Sequence, residues 1–311
     1  MASEHKLSTP VAFVVFNRPD TTHAVFQRIR EAKPATLLVV ADGPRAGRPG
    51  EADMCRQTRE IATGVDWDCE VLCNFATENL GCKRRVSSGL DWVFQTVEEA
   101  IVLEDDCVPS SSFFRFCDEL LARYRHDSRV MQICGSNLLR GIEVGPVVQD
   151  SYYFSRYGPI WGWASWRRAW KHYDVTLASW PRSRDSGAYK EFCHGRGEEK
   201  FRYQLYEKLH RGEIDTWDYQ WGFEKLNRGG LSVVPRLNLI SNIGFGVNAT
   251  HVHTNSHSLA CLAAAEIAFP LVHPSLISAD REMDRLYSRT LVSPSWATRL
   301  SRRIWRPAAW K

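Results

Sequence analysis

An α/β fold built on a mostly parallel sheet with flanking helices is predicted by three features of the chain. Short β-branched runs alternate with amphipathic helical stretches over the first 135 residues. The apolar runs are continuous rather than alternating, as in strands covered on both faces. Several of them stop on polar or acidic residues, which is where open α/β sheets place their ligands.

The first strand is expected over Val11–Phe16 and ends in Asn17-Arg18-Pro19-Asp20, ahead of a helix from Asp20 to Ala32. A second strand, Leu37–Ala41, ends in Asp42-Gly43-Pro44 and precedes a helix over Glu51–Thr63. Cys69–Cys73 reads as a third strand, followed by a helix over Cys82–Val97. The fourth, Ala100–Leu103, runs into the carboxylates Glu104, Asp105 and Asp106, with a helix over Ser111–Tyr124 and a strand over Val130–Cys134 after it. Beyond Gly141 the texture changes to Gly141–Pro146, Tyr152–Ser155 and an aromatic block, Trp161-Gly162-Trp163-Ala164-Ser165-Trp166. Helical stretches near Glu198–Arg211 and Trp217–Asn227 follow, then Ser232–Pro235 and an Asn/Gly-rich loop over Asn238–Asn248. No linker-like segment divides these parts. The expected organisation is one domain with a ligand-binding half at 1–140, a second lobe at 141–280 and a basic tail at 281–311.

Composition narrows the function. With 311 residues, 44% apolar and 24% charged, the chain has ample core for a large domain. A net charge of +4 suits phosphate-bearing ligands but is far from a nucleic-acid signature. No apolar run reaches membrane-spanning length, and the first residues lack a signal-peptide pattern. Nine cysteines without CxxC pairs suit free thiols, and so a cytoplasmic location. Twelve tryptophans suit either a core or a sugar-binding surface. No G-x-G-x-x-G, P-loop or G-x-S-x-G motif is present, which argues against dinucleotide folds, P-loop NTPases and α/β-hydrolases.

Three strand ends carry the candidate chemistry. Clustered carboxylates such as Glu104–Asp106 repel one another unless a cation or proton sits among them; a solvated turn ahead of a helix is the plainer alternative. Arg18 can make bidentate bonds to a phosphate, and Asp42 can accept from a nucleobase or ribose. A second acidic element, Asp215-Thr216-Trp217-Asp218-Tyr219-Gln220-Trp221, sets Asp218 between apolar walls that prepare a carboxylate for base work. Equally, Asp215 or Thr216 can cap a helix whose Trp217 and Trp221 pack at i, i+4. His251, His253 and His257 cluster locally; His251 is a candidate metal ligand, with His253 the alternative. In the tail, Trp296, Leu300 and Ile304 fall at i, i+4 and i+8 among Arg299, Arg302, Arg303 and Arg306. That pattern suits a helix on an anionic membrane surface, or a docked basic terminus.

The ensemble resembles nucleotide-sugar-dependent glycosyltransferases of the Rossmann-like GT-A fold, in particular N-acetylglucosaminyltransferase I and bacterial relatives. The similarity is carried by Phe16-Asn17-Arg18, Val102-Leu103-Glu104-Asp105-Asp106 with Pro109 and Phe113-Phe114, Gly162-Trp163, Trp217-Asp218-Tyr219-Gln220-Trp221 and Gly230-Leu231-Ser232-Val233-Val234-Pro235. The spacing of the second Trp in the Trp-Asp element differs by one from the family pattern. The resemblance implies a metal-dependent, inverting transfer from a UDP-sugar to a glycan, lipid-linked or protein acceptor. Asp106, with His251, would hold Mn²⁺ or Mg²⁺, and Asp218 would be the general base. Asn17, Arg18, Asp42, Arg84, Glu104 and Asp105 would bind the donor, and Trp161, Trp163 and Trp217 the acceptor. It further suggests a bacterial enzyme of polysaccharide biosynthesis, at the inner face of the membrane if the tail binds there. The competing expectations are a non-catalytic glycan-binding protein and a sugar-1-phosphate nucleotidyltransferase; the latter normally opens with a Gly-rich loop that residues 16–20 do not supply.

Overall fold

The computed structural model describes residues 6–139, 150–244 and 262–293. In chain order the first half holds β1 (Val11–Val15), α1 (Pro19–Ala32), β2 (Thr36–Ala41), α2 (Glu51–Thr63), β3 (Glu70–Phe75), α3 (Gly81–Thr96), β4 (Glu99–Glu104), β5 (Cys107–Pro109), α4 (Ser111–Tyr124) and β6 (Val130–Cys134). The second half holds β7 (Tyr152–Ser155), β8 (Trp163–Trp166), α5 (Arg167–Trp170), α6 (Trp180–Ser186), a 3₁₀ turn (Ala188–Phe192), α7 (Arg196–His210) and α8 (Asp218–Asn227). After these come β9 (Leu231–Pro235), β10 (Ile240–Asn242) and α9 (Arg281–Tyr287), which runs into a π-helical turn (Ser288–Val292).

One eight-stranded sheet, ordered β3-β2-β1-β4-β8-β6-β9-β7, takes strands from both halves. The first four are mutually parallel, β6 is parallel to β9, and β8 and β7 are antiparallel to their neighbours. This mostly parallel, helix-flanked sheet is the predicted α/β class and is consistent with a Rossmann-like GT-A fold. Strands β1 and β6 are buried at every residue, which is why they read as unbroken apolar runs. Pro19 starts α1 at a position where its missing N–H costs no helical bond.

Helices cover both faces. On one side α1 and α4 bring Val25, Phe26, Phe113, Phe116 and Leu120 onto the sheet. On the other, α3 and α8 bring Leu90, Phe94, Trp217 and Trp221 against Trp163 and Trp170. The sheet register aligns Val14 with Glu104 and Val15 with Ala41, so β1, β2 and β4 end on one line. Asn17–Arg18, Asp42 and Glu104–Asp106 therefore share one sheet edge.

Two stretches differ from expectation. Four of the six residues of the aromatic block form the strand β8, inserted antiparallel between β4 and β6, with Trp163 and Trp166 packed into the cores on opposite faces. Within the expected Asn/Gly loop, Ile240–Asn242 pairs with Cys107–Pro109 in a separate two-stranded ribbon. Residues 141–146, the histidines His251, His253 and His257, and the tail from 294 to 311 lie outside the described residues. The eight described cysteines are free thiols. Among the described residues no helix is long and apolar enough to cross a membrane.

Candidate active site at the carboxyl edge of the sheet

The acidic triplet is anchored from both sides. Glu104 is the last residue of β4, and after the turn Cys107 pairs with Asn242 of β10. The Asp106 carbonyl accepts from the Ile243 N–H at 2.9 Å, and a Cβ on Gly244 would overlap the Asp106 carboxylate. Segment 240–244 therefore packs directly on the triplet. Arg18, delivered by the end of β1, pairs with Asp105 and reaches Asp106 Oδ2 at 3.1 Å. Burial raises Glu104 above the usual carboxylate range, reinforced by Asp106, Asp105 and Asp218, while Arg18 opposes the shift. Asp105 is raised by burial too, against the pull of Arg18.

The other donor-side candidates divide. Asn17 donates to Glu51 Oε1 at 3.0 Å, and the same buried carboxylate accepts from the Arg45 backbone N–H at 2.6 Å and from its guanidinium. Asp42 is buried, and its oxygens accept from the Gly43 and Leu80 N–H groups and from Asn79 Nδ2, each at 2.9 Å. A carboxylate offers about four acceptor sites, so these bonds leave Asp42 little capacity for a ligand; it holds the loop ahead of α3. Arg84 is exposed on the first turn of α3. Its neighbour Arg85 turns inward, donating to Asn74 O at 2.6 Å and Oδ1 at 2.8 Å. Arg85, Arg59, which donates to Asp42 O at 2.9 Å, and Asn79 escape the sequence reading. Helical spacing carried a signal for Arg85, since it shares the buried face of α3 with Gly89.

Asp218 opens α8, and Thr216 Oγ1 donates to its carboxylate. Neither Asp215 nor Thr216 caps α8. Asp215 instead accepts from the Lys83 N–H at 3.0 Å, tying the Asp218 loop to the N-terminus of α3 in the other half. Gly81 has φ +79°, and a Cβ there would come within 3.0 Å of Asp215. Cys82 lies in the first turn of α3. Burial, helped by Glu104, Asp215, Asp218 and Asp42, pushes its thiol up to about 12. Carboxylates from both acidic elements thus lie near enough to Cys82 for their charges to act on one thiol.

On its other side Asp218 lines a pocket of ≈ 340 Å³, with Trp161, Gly158, Tyr219, Gly222 and Leu226. Of the three aromatic acceptor candidates only Trp161 reaches it. Trp163 is fully buried and Trp217 nearly so, their rings stacked with centroids 5.8 Å apart, so neither offers a face to a sugar. They serve instead as the platform under the first turn of α8.

The donor set suits a hard cation. Glu104 Oε1 is shielded and has no hydrogen-bond partner, and three crowded carboxylates leave negative charge that Arg18 alone does not balance. Among the described residues no group of three or more His, Cys, Asp or Glu side chains is placed to hold a metal ion by itself. Such a set fits an ion that takes one or two carboxylates from the protein and the rest from phosphate and water.

No family model matches the chain, and no curated protein matches it in sequence. Similar solved structures include a 4-diphosphocytidyl-2C-methyl-D-erythritol synthase from Anaerococcus prevotii (10% identity, 72% of this chain and 87% of that one, TM-score 0.35). A mannosyltransferase from Pyrobaculum calidifontis, in complex with GDP-Man and Mn²⁺, is 12% identical over 73% of this chain and 72% of that one (TM-score 0.37). A UDP-glucose pyrophosphorylase complexed with UDP-glucose is 8% identical over 73% and 90% (TM-score 0.37). At these TM-scores none of the three speaks to what this chain binds or transfers.

Proposed function

We propose that the protein is a metal-dependent, inverting glycosyltransferase that moves a sugar from a nucleoside diphosphate sugar, UDP being the first candidate, to an acceptor hydroxyl. The observation that carries this reading is the place of Asp218, between the Glu104–Asp106 edge and an open pocket. A donor diphosphate lies against Arg18 and the acidic triplet, with Asn17 and Arg84 at its flanks and Asp42 holding the loop beneath. The acceptor lies in the pocket along Trp161. Asp218 takes the proton from the acceptor hydroxyl, whose oxygen bonds to the anomeric carbon as the bond to the diphosphate oxygen breaks on the opposite face. A divalent cation held by Asp106 with Glu104 would neutralise charge on the departing diphosphate. Arg18 adds a fixed positive charge there, while Asp105 keeps Arg18 in place.

A glycan-binding protein was suggested by the tryptophan surplus. Trp163, Trp166, Trp170, Trp180, Trp217 and Trp221 are buried, so packing already accounts for half of the twelve. We assign the basic tail, outside the described residues, to contact with an anionic membrane. Calorimetry of UDP and UDP-sugars with and without Mn²⁺, followed by assays of UDP release against pyrophosphate formation from UTP and a sugar phosphate, tests the reading. Metal-dependent UDP binding with UDP release supports it. Pyrophosphate formation makes the protein a nucleotidyltransferase, and silence toward nucleotides removes the enzyme reading.

A further inference from the structure

We infer that two copies of this chain join through the bare edge of the sheet, β3 of one copy pairing antiparallel with β3 of the other. The inference is independent of the transferase reading. The eight-stranded sheet ends on β7 at one edge and on β3 at the other. The β7 edge is covered by the chain itself. Phe154 forms a parallel bridge with Ala279, its carbonyl accepts from the Asp280 N–H at 2.8 Å, and the Ser151 N–H donates to Val272 O at 2.8 Å. Along β3 the Glu70 and Ala76 N–H groups donate inward, to Ala35 O at 2.9 Å and Ala41 O at 3.0 Å. Backbone groups alternate in direction along a strand, so those of Val71, Cys73 and Phe75 point outward. Among the described residues none is bonded to these outward groups.

Exposed edges normally carry a device against pairing, such as a proline, a lysine or a bulge. β3 has none of them: residues 70–75 hold no proline or lysine, and their register with β2 runs unbroken over six pairs. The strand is also complementary to itself. With Cys73 on a two-fold axis, Cys73 faces Cys73 of the other copy, and Val71 faces Phe75 twice over. These are the outward-pointing residues, so each pair exchanges two N–H···O bonds, and valine against phenylalanine is a favourable cross-strand pair. Cys73 is exposed and Phe75 is 38% exposed, so both have surface to bury. On the other face of the strand the same register sets Glu70 opposite Ala76 and diagonal to Asn74 of the other copy. Arg85 rests on Asn74, and its hydrogen bonds go to Asn74 and Ser88 rather than to a carboxylate. An exposed glutamate is thus brought towards a guanidinium that lacks an acidic partner in its own chain. A second copy meets this pattern at every position, and so it is the occupant.

Sedimentation velocity and cross-linking of the full chain test the inference. The parent is expected to sediment as a dimer at micromolar concentration, and a short bismaleimide to link Cys73 to Cys73, as identified by peptide mass. Cys73→Ser should keep the dimer and lose that link. Cys73→Lys places like charges face to face at an exposed position, and is expected to give a monomer with unchanged circular dichroism. Glu70→Arg turns attraction into repulsion at two symmetric places and should weaken association roughly tenfold. An unchanged dissociation constant in Glu70→Arg overturns the charge match and this register with it. A dimer that survives Cys73→Lys has its interface elsewhere and overturns the inference. A parent that stays monomeric overturns it too; if that monomer binds a peptide copying residues 69–77, the edge serves a strand of another protein instead.

Discussion

Asp218 lies close enough to Glu104 for its charge to raise the Glu104 carboxyl, although one opens α8 and the other ends β4. The link runs through the sheet. Val102 of β4 pairs with Trp163 of β8, the Trp163 ring stacks on Trp217, and Asp218 is the next residue. Trp163 also packs against Trp221 at 6.0 Å, one turn further along α8. An aromatic platform of this kind fixes a side chain on its rim far better than a loop does.

The first expected outcome follows from that placement. Asp218→Asn keeps the shape and can still accept from Thr216, but it cannot take a proton. Transfer should fall by roughly 10²- to 10⁴-fold, the usual contribution of a positioned base. The Kd for UDP should stay within about twofold, because Asp218 stands on the acceptor side. Turnover at the parent rate would remove Asp218 from the mechanism.

Glu51 is expected to matter for donor binding although it is buried behind the site. Its carboxylate joins Asn17 at the end of β1 to Arg45 after β2. Glu51→Ala leaves these donors unsatisfied, which costs about 1–3 kcal/mol and frees both loops. Urea unfolding should show the loss, and KM for the donor should rise several-fold with kcat little changed. A variant with parent KM would confine Glu51 to a structural role.

Much of the fold was legible because burial leaves a plain mark on it. Strands covered on both faces read as apolar runs, and α4 shows its buried Phe113, Phe116, Leu120 and Tyr124 at helical spacing. What escaped notice lacked that mark. Trp163-Ala164-Ser165-Trp166 places its side chains on two faces that are both buried, so no alternation of polar and apolar residues betrays the strand. β10 is three residues long and pairs with a segment remote in sequence. Among the site residues, the strand-end acids could be located by topology alone. Whether an indole lines a cleft, as Trp161 does, or fills a core, as Trp163 and Trp217 do, depends on what packs against it from elsewhere in the chain. The same holds for Asp42, whose partners Leu80 and Asn79 follow a different strand.

Gly89 is the point where α3 comes closest to the sheet. A Cβ there would collide with the Val40 side chain of β2, two residues before Asp42. Gly89→Ala should gain helix propensity yet lose overall, because overpacking costs typically about 1–3 kcal/mol. Thermal melting should fall, and donor affinity should fall with it if α3 shifts the Leu80 and Asn79 contacts to Asp42. A raised melting temperature would show that the helix moves away freely.

Asp284 is expected to make stability depend on pH. It is buried in the first turn of α9, where Ser155 Oγ donates to it at 2.6 Å and the Arg156 N–H at 3.3 Å. Burial outweighs those bonds and pushes the carboxyl from 3.8 up to about 6. The folded chain thus binds a proton that the unfolded chain has already released. The stability this contributes is fully present below about pH 4 and is lost as pH rises through 6, a change of about 3 kcal/mol. Asp284→Asn stays neutral throughout and keeps an oxygen for Ser155. Its melting temperature should exceed that of the parent by a few degrees at pH 8 and converge with it near pH 4. A variant that melts lower than the parent at pH 8 would mean that the ionised carboxylate stabilises α9 against Ser155 and Arg156 rather than straining it.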